Sequence, residues 1–488
     1  MKKVKVVIRE RINPLNLCLG NGAHNNLIFI CLLVISPIHD SSLALNTVKN
    51  AVQFASIVIK QSYSNWKFQF LNVMEDQHLS PNSTRDTECK LTITEDEGQG
   101  QGEDHHQYFD GRRMHRVPQI MRFNKHDEED YYAPKMVSFG PYYHGLPELG
   151  MAEEFKHEVL RMFVSSSGKD KQFFYCQIFK VIDQIRNCYV GVSRDAYDDG
   201  ALSEMMLRDA FFTIYLMEIA LEDEDEDEKS SLFLQHLGMA AIPFAFRDTN
   251  LLENQIPLWV IKLLINLMYG EGSMLLCNYL SSMILENTRL TKIPGEDKKQ
   301  PLHLLDAYHR LLVEELDNAG KILVQPVNKC QWWPRRKENR TEFGKYNRQF
   351  RSVSYLRSKG IDFKPSSYCL KSIRFNSYTF YGQVQLPVWL FTSISKLFFI
   401  NMIAYETSPE NDTGITIICY VNFLKSLIDK PEDVKELREK KILFSTLDSD
   451  EQVAKVIKEI DTCGIDDYSI FDDVKTGIEK HYSSKART

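Results

Sequence analysis

The chain has 488 residues, 43% of them hydrophobic, and a formal net charge of -7. That length can build a large core and roughly two to four domains, while the modest charge excludes a global field for nucleic acid or anionic lipid. Ten cysteines without C-x-x-C or paired Cys/His spacing exclude a zinc module and read as reduced, mostly buried thiols.

Residues 1–115 differ from the rest and are expected to form a largely disordered extension. Basic residues from Lys2 to Arg11 precede one apolar run, Leu27–Ile38, too short to span a bilayer. It reads as a buried strand or short helix, with a signal or anchor as the alternative. An amphipathic patch follows at Thr47–Ile59. The polar tract Asp76–Asp110 is too poor in apolar residues to offset its ordering entropy. His105, His106 and His115 lack carboxylate or Cys partners at ligand spacing, so no metal site is assigned. Sequons at Asn82, Asn339 and Asn411 carry little weight without an export signal.

Order is expected over 116–475. V-S-F-G-P-Y-Y-H-G, from Val137 through Gly140, Pro141 and His144 to Gly145, predicts an extended segment closed by turns. Helices are expected at Met151–Val164 and Phe173–Tyr189. Leu202–Leu221 is the most apolar helix. Glu204, Arg208, Asp209 and Glu218 within it argue for a buried helix of a bundle instead of a membrane span. The acidic run Glu222–Glu228 reads as a solvated, self-repelling loop.

Asn250–Leu264 reads N-L-L-E-N-Q-I-P-L-W-V-I-K-L-L. Asp248 or Asn250 is expected to cap a helical turn, and Pro257 suits the first turn of a new, buried helix. Glu253, Asn254 and Gln255 then satisfy backbone groups exposed where Pro257 interrupts the helix, and Trp259 packs in the core. Further on, His303 opens a helix to about Leu316. Residues 332–359 are basic with interleaved aromatics and read as part of a flexible insert centred on about 320–350, with nucleic-acid binding the less favoured reading. Tyr355–Phe363 reads as a helix end stopped by Gly360, Leu370–Phe375 and Gln383–Leu386 as a small hairpin. Helices return at 393–405, 413–428, 431–440 and 450–460, with Asp429 and Ser449 as caps, before a tail at 476–488. The expected fold is mainly α: a multi-helix domain with a small β hairpin in its C-terminal half.

V-S-F-G-P-Y-Y-H-G, L-L-E-N-Q-I-P at Leu251, H-L-L-D at His303, L-R-S-K-G-I-D-F at Leu356, N-M-I-A-Y-E at Asn401, Y-V-N-F-L-K-S-L-I-D at Tyr420 with E-D-V-K-E-L beyond it, and D-E-Q-V-A-K-V-I at Asp450 stand in order. Together the chain resembles the plant "domain of unknown function 247" family over roughly Val117–Asp472. The resemblance implies a mostly helical plant protein without an established activity, membrane association through a hydrophobic C-terminal segment, and interaction roles. Three positions depart from it: Tyr143 replaces a usual histidine, Ala210 replaces a usual glycine, and the sequence stops at Thr488 without that segment. Cytoplasmic or peripheral placement is therefore an equal expectation.

No G-x-S-x-G, P-loop or H-E-x-x-H occurs, and G-N-G at Gly20 lacks a third glycine. No catalytic, cofactor or metal residue is assigned, and no cofactor is expected. The acids Asp209 and Glu253 are expected to pair with Arg247, because carboxylates in apolar helices must be paired or neutralised. The functional expectation is a non-enzymatic interaction protein with protein partners and a membrane surface as a further contact. Nucleic acid is disfavoured. The alternative is an uncharacterised enzyme with Glu253 as general base beside His144.

Overall fold

The computed structural model describes residues 107–122, 130–221, 228–283, 290–293, 296, 299–314, 351–367, 369–411, 413–467 and 469–485. Outside them lie the N-terminal apolar run, the amphipathic patch, nearly all of the tract expected to be disordered, the acidic run 222–227 and the basic insert.

Chain order gives α1 (Gly150–Ser167), α2 (Lys171–Phe179), α3 (Ile182–Asn187) and α4 (Asp199–Leu221). The stretch expected as one helix at 173–189 is thus two. At the break the Val181 N–H turns back to the Ile178 carbonyl, a tighter step than the α-helical one, and Ile178, Ile182 and Ile185 are all buried. The apolar helix α4 is the centre of this half, and α1, α2, α3, α7 and α8 all pack on it. The connection from α4 leads through α5 (Glu228–Leu237), α6 (Ala241–Asp248), α7 (Leu258–Tyr269) and α8 (Leu275–Ser282). Aromatic rings fill the seam: Phe155 meets Phe212 and Tyr215 edge-on, and Phe163 stacks on Phe211. α4 is covered on nearly every side, in keeping with a sequence that shows almost no amphipathic stripe.

The second half holds α9 (Leu304–Val313), α10 (Val353–Ser358), and strands β1 (Ile361–Pro365), β2 (Arg374–Ser377), β3 (Gly382–Leu386) and β4 (Trp389–Phe391). After these come α11 (Ser395–Glu406), α12 (Thr416–Leu427), α13 (Pro431–Glu439), β5 (Leu443–Ser445), α14 (Asp450–Glu459) and α15 (Asp472–Lys485). The hairpin exists as β2–β3, paired Arg374 to Gln385 through Ser377 to Gly382, whereas Leu370–Ser372 is a 3-10 turn. β1 adds to β3 in parallel, and β4 pairs with β5 in parallel. Ile361–Phe363 was expected in a helix end. Gly360, at φ 78, reverses the chain there, and Ile361 and Phe363 alternate inward with Asp362 and Lys364 outward.

The stretch expected as a tail is helical through Lys485. α15 lies on the hairpin, with Phe375 wedged between Gly382 and Gly477, where an added Cβ would approach its ring to 2.9 and 2.7 Å respectively. Ser449 caps α14 by accepting the Gln452 N–H. At α13 the cap differs from expectation: Asp433, not Asp429, accepts the N–H groups of Asp429, Lys430 and Ser354.

Trp259 sits on α7, 6% exposed, with its ring stacked 4.7 Å from Tyr108. Trp259→Ala removes a large buried ring and should destabilise the protein by about 3–5 kcal/mol in urea unfolding. A loss under about 1 kcal/mol would show that the indole contributes little to the core.

Candidate functional site

The chain between α6 and α7 does not form a helix, so its backbone groups need other partners. Glu253, Asn254 and Gln255 occupy this break and are 1%, 1% and 4% exposed. Each ties a different segment. Glu253 accepts the Val117 N–H (2.5 Å) and the Tyr143 hydroxyl (2.7 Å) and is paired with Arg122 at 2.5 Å. Asn254 Oδ1 accepts the Phe139 N–H at 2.7 Å, while its amide donates to the carbonyls of Val137 and Asp248. Gln255 donates to the carbonyls of Thr249 and Leu251, closing the end of α6, and accepts the Leu305 N–H in the first turn of α9. From α11, Asn401 Oδ1 accepts the Leu252 N–H.

The extended segment 135–140 is gripped twice more. Asp248 was expected to cap a helical turn. Instead it ends α6 and receives the N–H groups of Lys135, Met136 and Val137. Burial pushes its carboxyl above the ordinary range, against the pull of those N–H groups and Arg247. Gly140, at φ 74, lies so close to the hub that a Cβ would stand 2.6 Å from the Gln255 carbonyl oxygen. The Pro141 carbonyl accepts the Tyr197 hydroxyl, and Gly145 turns the chain at φ 84. Pro257 has no N–H to place, and the Leu258 N–H donates to the Leu302 carbonyl.

Two expected contacts are corrected. Arg247 is not the cation for Asp209 and Glu253: it pairs with Asp248 at 2.7 Å. Asp209 pairs with Lys156 at 2.6 Å and accepts the Gly140 N–H, while Glu253 takes Arg122. Lys156 is fully buried and also donates to Glu153 and the Ser138 carbonyl. Burial raises the Asp209 carboxyl. At Glu153 burial acts in the same direction, but Lys156 outweighs it and holds that carboxyl below its usual range. The sequence did carry a signal for Lys156: with Ala152, Val159, Leu160 and Phe163 it falls on the inward face of α1. His144 is likewise not beside Glu253. Its Nδ1 faces Glu153 Oε2 at 3.6 Å, and its neighbour Tyr143 makes the Glu253 contact.

A second buried cluster adjoins the hub at α9. His303 caps the helix by accepting the Asp306 N–H. Asp306 holds Arg310 and Arg112 and accepts the Leu302 N–H. Burial opposes its charge, yet Arg310 and these hydrogen bonds keep its carboxyl well below the ordinary range. His309 bonds Glu406, which in turn accepts the Ile417 and Ile418 N–H groups opening α12. Sequence reasoning missed Arg112, Arg122 and Glu406, whose partners lie far along the chain.

Among the described residues no group of three or more His, Cys, Asp or Glu side chains could hold a metal ion. No helix among them is long and apolar enough to cross a membrane. The polar groups of the sequence motifs face one another and the backbone, the arrangement of a helical domain locked from within. The chain belongs to the DUF247 family, described as plant protein of unknown function, whose model matches residues 114–488. It is 24% identical over 353 residues to the UPF0481 protein At3g47200 of Arabidopsis thaliana, covering 67% of this chain and 68% of that one. The putative UPF0481 protein At3g02645 of the same plant is 23% identical over 417 residues, covering 67% and 74%. No solved structure matches.

Lys156→Met strands Glu153 and Asp209 without their shared cation and should destabilise the protein by about 3–5 kcal/mol. Adding Asp209→Asn should recover a large part of that loss in a double-mutant cycle. Simple additivity of the two substitutions would contradict the pairing.

His303 is fully buried among Asp306, Arg112, Arg310 and His309, and burial holds its pKa down to about 4. The unfolded imidazole titrates near 6.5, so between these values the unfolded state binds the extra proton. The contribution is therefore present above about pH 6.5 and is lost as pH falls towards 4, on the order of 3 kcal/mol. His303→Asn keeps a capping side chain without the titration and should flatten the stability profile over that window. An unchanged slope would assign the acid sensitivity to other groups.

Proposed function

We propose that this protein is a non-enzymatic interaction module that presents the β2–β3 turn to a protein partner. One observation carries the reading: Tyr378, Phe380 and Tyr381, at the tip of the hairpin, are 45%, 86% and 42% exposed. The turn is well formed, since the Tyr378 N–H donates to the Tyr381 carbonyl and the two tyrosine rings stack at 4.7 Å. Its base is held by Phe375 against α15 and by the bond between Ser377 and His481. Large rings held in place on a rigid stem give contact area with little loss of side-chain freedom on binding, which is why aromatics dominate interface energetics.

The enzymatic alternative loses its pair of residues. A general base must reach the proton it takes, and Glu253 is tied to Val117, Tyr143 and Arg122 while His144 faces Glu153. The motif residues support the reading from the other side, because their polar atoms maintain the domain that carries the hairpin.

Replacing Tyr378, Phe380 and Tyr381 together by Ser should leave stability within about 1 kcal/mol, since these side chains lie on the surface. In proximity labelling of the full chain in plant cells, the same variant should lose the partners captured by the unsubstituted protein. An unchanged set of labelled partners would contradict the proposal.

A further inference from the structure

The hairpin that carries the exposed aromatics also has an outer edge that no strand covers. The sheet runs β1-β3-β2, so β3 is central and β2 lies at the side. Opposite residues of an antiparallel pair alternate between exchanging their backbone hydrogen bonds and turning those groups away from each other. The Tyr378 N–H donates to the Tyr381 carbonyl at 2.9 Å, which puts Asn376 with Gln383 and Arg374 with Gln385 in the bonded class. Phe375, opposite Val384, and Ser377, opposite Gly382, therefore turn their N–H and C=O groups outward. β3 shows the same phase from its other side. Its Gly382 N–H donates to the Gly360 carbonyl and its Leu386 carbonyl accepts the Ser366 N–H, so those positions serve β1.

Among the described residues nothing bonds the outward N–H and C=O groups of Phe375 and Ser377, and the further bond of Ser377 links its hydroxyl to His481 Nδ1. Arg374 and Ser377 are exposed and Phe375 and Asn376 half-buried, so water reaches both ends of the strand. The edge lacks common forms of protection: β2 keeps its register on β3 without a bulge and contains neither Pro nor Lys. An unpaired backbone edge is a template for one kind of occupant, another extended backbone.

We propose that β2 receives an extended segment of the protein partner as an added strand, bonded to the N–H and C=O groups of Phe375 and Ser377. The inference rests on the reading that the hairpin binds a protein, and it names the form in which that partner is held. Side chains alternate across the sheet, so Phe375 and Ser377 face α15 while Asn376 and Tyr378 lie on the opposite face. The added segment thus lays one residue beside α15 and the next along the Tyr378 ring, which is 45% exposed. An apolar or aromatic residue there gains a cross-strand contact. A second copy of this chain does not fit the same edge. α15 packs mainly on β2 and less on β3. Pairing β2 with β2 would set two such helices at one strand spacing, ~4.8 Å, where packed helix axes need about 8–10 Å. A lone extended segment brings no helix.

The test selects short linear peptides from a phage-displayed library on the full chain and measures the enriched peptides by fluorescence anisotropy. Strand addition uses every second amide of a peptide. N-methylation should therefore abolish binding at alternate positions and leave it within about twofold at those between. Ser377→Pro deletes an outward N–H that no described residue accepts, and outer strands tolerate proline at such positions. It should weaken binding at least about tenfold relative to Ser377→Ala, which loses the same hydroxyl but keeps the N–H. Slow hydrogen exchange at Asn376 and Tyr378 in Ser377→Pro checks that the hairpin is intact. A selection without binders, an N-methyl scan without the alternation, or binding that survives Ser377→Pro in an intact hairpin would overturn the proposal. So would self-association of the chain that Ser377→Pro abolishes, which assigns the edge to a second copy. Peptides that need the Ser377 N–H but not the rings of Tyr378, Phe380 and Tyr381 would leave strand addition standing and sink the reading of the tip. Peptides that need only the rings would do the reverse.

Discussion

The structure depends on how the break between α6 and α7 is satisfied. A buried non-helical stretch leaves N–H and C=O groups without water, and each unmet group would cost about 1–3 kcal/mol. Gln255 meets the Thr249 and Leu251 carbonyls of the break and Asn401 meets its Leu252 N–H, while Glu253 and Asn254 reach outward to the backbone of other segments. The bonds of Glu253, Asn254 and Gln255 run to Val117, to the segment 137–139, to the end of α6 and to the start of α9. Four pieces distant in sequence are thereby set against one another by directional contacts that apolar packing alone would not specify.

The charged groups follow the same logic. Lys156 and Asp209 are both fully buried, yet neither stands alone, because Gly140 donates its N–H to Asp209 and Ser138 lends its carbonyl to Lys156. Asp306 similarly accepts a backbone N–H beside Arg310 and Arg112, and Glu406 accepts two beside His309. A buried ion pair is a weak source of net stability, but removing one partner is severe. Such clusters fix which arrangement of helices is allowed, so the hub and its ion pairs act on specificity of the fold more than on its total stability.

Local signals in the sequence located most helices, because caps and apolar periodicity are local. Ser449, Gly360 and the run of α4 mark elements from a few residues each. The strand β1 was hidden because Ile361 and Phe363 give only two inward positions, too few to outweigh the helix before them. The parallel pair β4–β5 was hidden because its strands are more than 50 residues apart, beyond any hairpin signal. The polar trio was legible as a structural junction from its place before Pro257. Its partners were not, since Arg122 lies 131 positions from Glu253 and nothing local selects it over Arg247. Lys156 was readable from the face of α1 it occupies. The hairpin aromatics, in a turn between short strands, signalled nothing until the turn was seen to face solvent.

Native-state hydrogen exchange tests the central claim most directly. The N–H groups of Val117, Phe139 and Leu305 lie outside regular helix hydrogen bonding or at its first turn and are held by the side chains of Glu253, Asn254 and Gln255 respectively. If the trio locks the fold, these amides open only with the core and exchange with the same free energy as the amides of α4. Exchange of all three through local openings, several kcal/mol below that of α4, would show that the segments are held by packing and that the hub is secondary.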